Sequence, residues 1–172
     1  LELASLMENL RPTAEKVGQE KNIRRLHEAA ELAHDLAPQH PPVIQTVLGG
    51  KHWEESRQLF LDRLGKWSEV ARSTKTIIAI KPHRGGAMSE PREAAWLIEQ
   101  LGKNSSIQMC YDYSHYAFRN LDLKKTIQTA LPHLAHVAVK DAMQKDGKVI
   151  FVLPGEAGTI DYATLLKTLV AG

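Results

Sequence analysis

The sequence predicts an α/β fold built from parallel β/α units, and three observations predict it. Four apolar runs, 43–48 (VIQTVL), 76–80 (TIIAI), 107–111 (IQMCY) and 136–139 (HVAV), are short, rich in β-branched residues and bounded by Gly, Pro or polar clusters. Their starts lie 33, 31 and 29 residues apart. Helical periodicity fills the gaps between them, and parallel strands need such crossovers of a dozen or more residues.

Residues 1–6 (LELASL) read as the tail of a further strand ahead of these runs. A polar helix over 22–36 (NIRRLHEAAELAHDL) leads into the first run, and 52–71 (HWEESRQLFLDRLGKWSEVA) forms the second helix. The helix over 91–101 (PREAAWLIEQL) has Pro91 in its first turn, with Ala94, Leu97, Ile98 and Leu101 on one face. Segment 140–158 (KDAMQKDGKVIFVLPGEAG) is long and Gly-rich with a central apolar run. It is expected to form a loop or short hairpin beside the site, since long loops in compact domains are often functional. A last helix follows Ile160, capped by Asp161 or Thr159, with Tyr162, Leu165, Leu166 and Leu169 facing inward.

Composition narrows the function. Of 172 residues, 43% are hydrophobic and 24% charged, the mix of a soluble globular protein. Twenty-two Lys and Arg against 20 Asp and Glu give a net charge of +2, which argues against nucleic acid as a partner. No apolar run reaches the roughly 20 residues a membrane helix needs. The single cysteine, Cys110, excludes an internal disulfide framework and fits a reducing compartment, so a cytoplasmic location is expected.

Chemistry in such folds gathers at the carboxyl ends of the strands. The four runs end in Gly49-Gly50-Lys51-His52, Lys81-Pro82-His83-Arg84-Gly85-Gly86, Asp112-Tyr113-Ser114-His115 and Lys140-Asp141. An Asp at a strand end and a His on the next turn can converge on one cation or one pair of sugar hydroxyls. Neither Gly pair matches a P-loop or dinucleotide fingerprint, so both read as turns. His27, His34 and His40 read as surface residues, Trp53, Trp67 and Trp96 as helix core residues, and Cys110 as an inert core thiol among apolar neighbours.

IAIKPHRGGAMSEPREAAWLIEQ, then YDYSH, HVAVKD and FVLPGEAGTIDY with a helix after it, resemble the sugar phosphate isomerase/epimerase family of xylose-isomerase-like (β/α)8 barrels. The resemblance covers about residues 76–169. It implies a divalent metal (Mn, Mg, Co or Zn) and a small sugar or sugar phosphate as ligand. Asp112 and His115 match the family's Asp-x-x-His and are the implied metal ligands. Lys81 stands where the family has a metal-binding Glu, and Ala138 where His-x-Lys-Asp has its His. His136, on the same strand face as Ala138, lies about 6–7 Å deeper, too far for simple replacement.

Such a barrel takes about 250 residues, so 1–172 is expected to be a single partial domain covering about strands 3 or 4 to 7. A small, self-contained doubly wound parallel sheet is the alternative. The implied activity is isomerisation or epimerisation by proton transfer next to a carbonyl through an enediolate. Lys81, Asp112 and His115 are the catalytic candidates, and His83, Lys140, Asp141 and Glu156 the substrate-binding ones. Lys81 is equally readable as a lysine salt-bridged to Asp112 or Asp141, and Glu156 as a turn-closing residue. Two rival functions are a Lys81-dependent aldolase or lyase on keto-sugars and a non-catalytic sugar-binding relative. Assembly into a homo-oligomer is compatible with either.

Overall fold

A computed structural model describes residues 2–117 and 119–171. Leu1, in the expected first strand, and Gly172, at the end of the expected domain, lie outside the described residues. Five strands form one parallel sheet in chain order: β1 (Ser5–Met7), β2 (Val43–Thr46), β3 (Ile78–Ile80), β4 (Ile107–Tyr111) and β5 (Leu134–Val137). The crossovers carry α1 (Lys16–Leu36), α2 (Trp53–Ser73), α3 (Pro91–Leu101), then the short α4 (Ser114–Ala117) with α5 (Leu123–Ala130). An antiparallel hairpin, β6 (Asp141–Lys145) and β7 (Lys148–Val152), and a final helix, α6 (Tyr162–Ala171), complete the described chain. Among the described residues no helix is long and apolar enough to cross a membrane.

The strands alternate in a way that gives the sheet two unlike faces. Ile44, Thr46, Ile78, Ile80, Ile107, Met109 and Tyr111 are buried against the helices. Leu26 of α1, Phe60, Leu64 and Trp67 of α2, Leu97 and Ile98 of α3, and Ile127 of α5 fill that layer. The other face is small and polar, and it is strongly curved. Ser5 Oγ on edge strand β1 lies 3.3 Å from His136 Nε2 on the opposite edge strand β5, while Gln45 Nε2 donates to Ser5 Oγ at 2.8 Å. Contact between edge strands with three others between them requires a sheet rolled toward closure, so the architecture is a half-barrel. The doubly wound alternative fails on this curvature and on an order that never reverses.

Boundaries depart from expectation where local signals are weak. α1 starts at Lys16 because nothing announces its first turn: Glu15 makes no side-chain cap, and Gly18 lowers the local propensity. β5 occupies Leu134–Val137 instead of 136–139, because the 3-10 turn Leu131–His133 delivers the chain early, and the ladder shifts register at Met109/Cys110. α5 was not singled out from the sequence, although Asp122 Oδ1 caps it by accepting from Lys125 N at 2.8 Å. α3 fits its reading closely: Glu93 accepts from Ser89 N and Glu90 N, completing a capping box ahead of Pro91. Segment 140–158 supplies a hairpin whose turn, Asp146-Gly147, has positive φ at both residues, which suits a two-residue hairpin connection. On α6, Asp161 is the cap for Thr164 N, and Leu166 is exposed instead of facing inward.

Other readings need correction too. His34 is half-buried, its Nε2 2.7 Å from the Thr74 carbonyl, while His27 and His40 are exposed. Trp67 is core, but Trp53 and Trp96 form a half-buried edge-to-face pair with Arg57 over Trp96. The glycine loops lock onto each other: Ala87 N donates to Gly49 O at 2.8 Å, and a Cβ on Gly50, at φ 75°, would press on Ala87 and Ser56.

Candidate active site

Lys81, Asp112 and Ala138 each follow a strand, and the ladder carries on through two of them. Lys81 N donates to Thr46 O and Ala138 N to Tyr111 O, both at 2.9 Å. By strand alternation Lys81 and Asp112 continue the inward phase of Ala79 and Cys110. Immediately after β4 the chain turns into α4. His115 N donates to the Asp112 carbonyl at 3.2 Å, and Ser114 Oγ donates to Asp112 Oδ1 at 2.5 Å. This tight turn brings the His115 ring back over the carboxylate three residues earlier. The Asp-x-x-His spacing is therefore the signature of one local turn.

Three polar atoms form a near-equilateral triangle. Asp112 Oδ2 lies 3.4 Å from His115 Nε2 and 3.3 Å from Lys140 Nζ, and Lys140 Nζ lies 3.3 Å from His115 Nε2. Asp112 and His115 are buried, whereas Lys140 keeps its side chain 31% exposed. Nε2 can donate to Asp112 or accept from Lys140, one at a time. Burial pushes the Asp112 carboxyl up, but His115, the Ser114 hydroxyl and the Lys140 charge outweigh it and hold it at about 2. Burial pulls His115 down against the pull of Asp112, with Lys140 and Lys81 adding to the lowering. His83 stacks on His115 with ring centroids 4.2 Å apart. Burial, then the charges of His115, Lys140, Lys81 and Arg84, bring His83 down to about 4. Both imidazoles are thus neutral near pH 7. His83 Nδ1 accepts from Gly85 N at 3.1 Å, which leaves its Nε2 carrying the proton.

Lys81 is only 7% exposed, and its charge bears on His83, His115, Cys110 and His136. Among the sequence candidates, Lys81, His83, Asp112, His115 and Lys140 come together. Asp141 is buried but turned toward the loop before α6: its Oδ1 accepts from Thr159 Oγ1 at 2.6 Å and from Ala142 N at 2.9 Å. Glu156 is exposed and closes its own turn, accepting from Leu153 N at 3.0 Å. Cys110 is fully buried, and burial raises its thiol to about 11, so the inert reading fits. Its neighbours are more polar than expected, since Sγ contacts Gln45 Oε1 at 3.6 Å.

The sequence reading missed three residues at this mouth. Phe151 of β7 lies edge-on to His115, with Lys140 Nζ 3.8 Å and Arg84 Cζ 5.4 Å from its ring centroid. Tyr162, at the start of α6, has a buried hydroxyl that burial, then the Asp141 and Asp112 charges, raise to about 12. Ser114 is the third. Only the apolar run inside 140–158 could have pointed to Phe151.

Among the described residues the donor set does not fit a divalent metal. Among the described residues no three His, Cys, Asp or Glu side chains converge. The two donors that do, Asp112 and His115, already face an ammonium. A metal about 2.1 Å from both donors on that ammonium's side would fall within about 2 Å of Lys140 Nζ.

Comparison with known proteins gives this arrangement its setting. The family model for the xylose isomerase-like TIM barrel matches residues 9–171. No curated protein sequence matches the chain. Among solved structures, 3-keto-D-glucoside 4-epimerase YcjR from E. coli superposes with a TM-score of 0.76 at 13% identity, over 99% of this chain and 68% of that one. The IOLI protein with a binding zinc atom gives 0.75 at 16%, over 97% and 62%. L-ribulose 3-epimerase gives 0.72 at 16%, over 98% and 58%. The chain thus spans about three-fifths to two-thirds of the length of these structures. With the half-barrel, the strand-end site and a family match over nearly its whole length, this chain belongs to the xylose isomerase-like TIM barrel family.

Proposed function

We propose that the mouth formed by β3, β4 and β5 binds a small keto-sugar and moves a proton next to its carbonyl, in the manner of a sugar isomerase or epimerase. One observation carries this reading. Five ionisable side chains, Lys81, His83, Asp112, His115 and Lys140, meet where strands of this fold end, and such ends are where barrel enzymes work. Neighbours that are sugar epimerases support the substrate class.

In this reading neutral His115 takes the proton from the carbon beside the carbonyl. The C–H electron pair moves into a C=C bond and the carbonyl pair onto oxygen, giving an enediolate. Lys81 and Lys140 face that oxyanion, where fixed positive charge in a water-poor site is most effective. Neutral His83 donates its Nε2 proton to a substrate oxygen. Return of the proton by His115 to the neighbouring carbon on the same face, as the other enediol hydroxyl passes its proton back to His83, gives the isomer; epimerisation needs delivery of a proton from a donor on the opposite face.

Incubation of a panel of ketoses in D2O tests this. Wild-type protein is expected to wash deuterium into the position beside the carbonyl, seen as loss of that proton's NMR signal. Lys81→Met is expected to lower the rate at least 100-fold, the scale of one lost oxyanion donor. No deuterium uptake from any ketose would count against the reading, and borohydride-trapped substrate on Lys81 would favour a lysine-dependent lyase instead.

A further inference from the structure

We infer that this mouth carries its catalytic positive charge on two lysines in place of a divalent metal, and that it is built for a sugar bearing an anionic group. The inference rests on the sugar reading above and specifies its ligand class. The Lys140 ammonium completes the triangle with Asp112 and His115, where a metal shared by those two donors would have to sit. Lys81 puts a second cation at the end of β3, buried to within 7% of full enclosure. Ala138, the residue after β5, offers no donor atom in its side chain. A divalent ion there would meet the Lys140 ammonium at close range and the field of the Lys81 charge, which already bears on His115, with Asp112 as the carboxylate to offset them; like charges a few ångströms apart repel strongly at low dielectric.

The charge balance also describes the ligand. Among the described residues Asp112 is the carboxylate in contact with the cluster, while Asp141 directs its Oδ1 to Thr159 Oγ1 and Ala142 N. Lys81 and Lys140 against Asp112 leave one net positive charge. The Phe151 ring covers Lys140 on one side at 3.8 Å, which limits its hydration and sharpens its demand for a counter-ion. A carboxylate on the sugar meets that demand in the bound ground state, before any enediolate forms. A neutral polyol does not.

Direct binding measurements on the wild-type chain test this. The probe for metal is Co2+, followed by visible absorption and equilibrium dialysis. The expected result is no stoichiometric uptake by wild type, and one Co2+ per chain in the variant combining Lys81→Glu with Ala138→His, which restores a carboxylate and an imidazole. One Co2+ per wild-type chain that disappears in Asp112→Asn would overturn the inference, whether or not the double variant folds. The probes for charge are the keto-sugar acid D-fructuronate, the neutral keto-sugar D-fructose and sulfate in calorimetry. Fructuronate is expected to bind at least ten-fold tighter than fructose, with the advantage lost in Lys140→Met. Equal binding of the two sugars overturns the lysine pair and leaves the sugar reading standing. Sulfate binding that needs Lys140, with neither sugar bound, upholds the pair and removes the sugar reading. No binding of any of the three overturns both.

Discussion

Asp112 keeps a charge where burial opposes it, and two physical consequences follow. Its carboxyl is held near about 2 in the fold, below the ordinary carboxylate value of 3.8. The stability it contributes is therefore fully present above about pH 4 and is lost as the pH falls toward 2. Urea unfolding between pH 2 and 6 is expected to show this slope in wild type and lose part of it in Asp112→Asn. Asp112→Ala removes the partner of Lys140 and the acceptor for Ser114, and is expected to cost about 3 kcal/mol, measured as a shift in the urea midpoint. The pairing of Asp112 with His115 was legible because it is local: three residues and one turn make it. His136 with Ser5 was not, since 131 residues separate them and only the roll of the sheet makes them neighbours.

Among the elements, the β6–β7 hairpin has the least support from the core. Its outer residues Ile150 and Phe151 are 39% and 36% exposed, and β7 is mostly at the surface. What ties it to the mouth is the contact of Phe151 with Lys140 and His115, together with Asp141 bonded to Thr159. Phe151→Ala removes a cation–π contact of about 1 kcal/mol. Amide exchange over 141–152 is expected to speed up roughly five-fold, with the amides of β3 and β4 unchanged. Equal acceleration throughout would show that the ring supports the whole fold instead. The sequence signalled this element through its length, its glycines and a central apolar run, yet a hairpin's direction over a site depends on packing that no local pattern encodes. The helices show the converse. α3 was readable to the residue because Pro91 and four apolar positions agree, and the structure adds a capping box, whereas α1 has an unmarked start at Lys16.

At the scale of the whole molecule, alternating strand and helix at 30-residue spacing were enough to identify parallel β/α units, because crossover length and side-chain period follow from backbone geometry. Curvature was not readable that way. It is set by how Gln45, Ser5 and His136 fill the inner face and how successive helices crowd the outer one. The roll turns a row of strand ends into a mouth, and the mouth gathers charges that lie as much as 59 residues apart in the chain, from Lys81 to Lys140. Binding of the proposed keto-sugar acid at that mouth is read by histidine side-chain NMR during its titration into the wild-type chain. The ring signals of His83 and His115 are expected to move with ligand while those of the exposed His27 and His40 stay still. Shifts at His27 or His40 with His83 and His115 unmoved would rule out binding at the mouth.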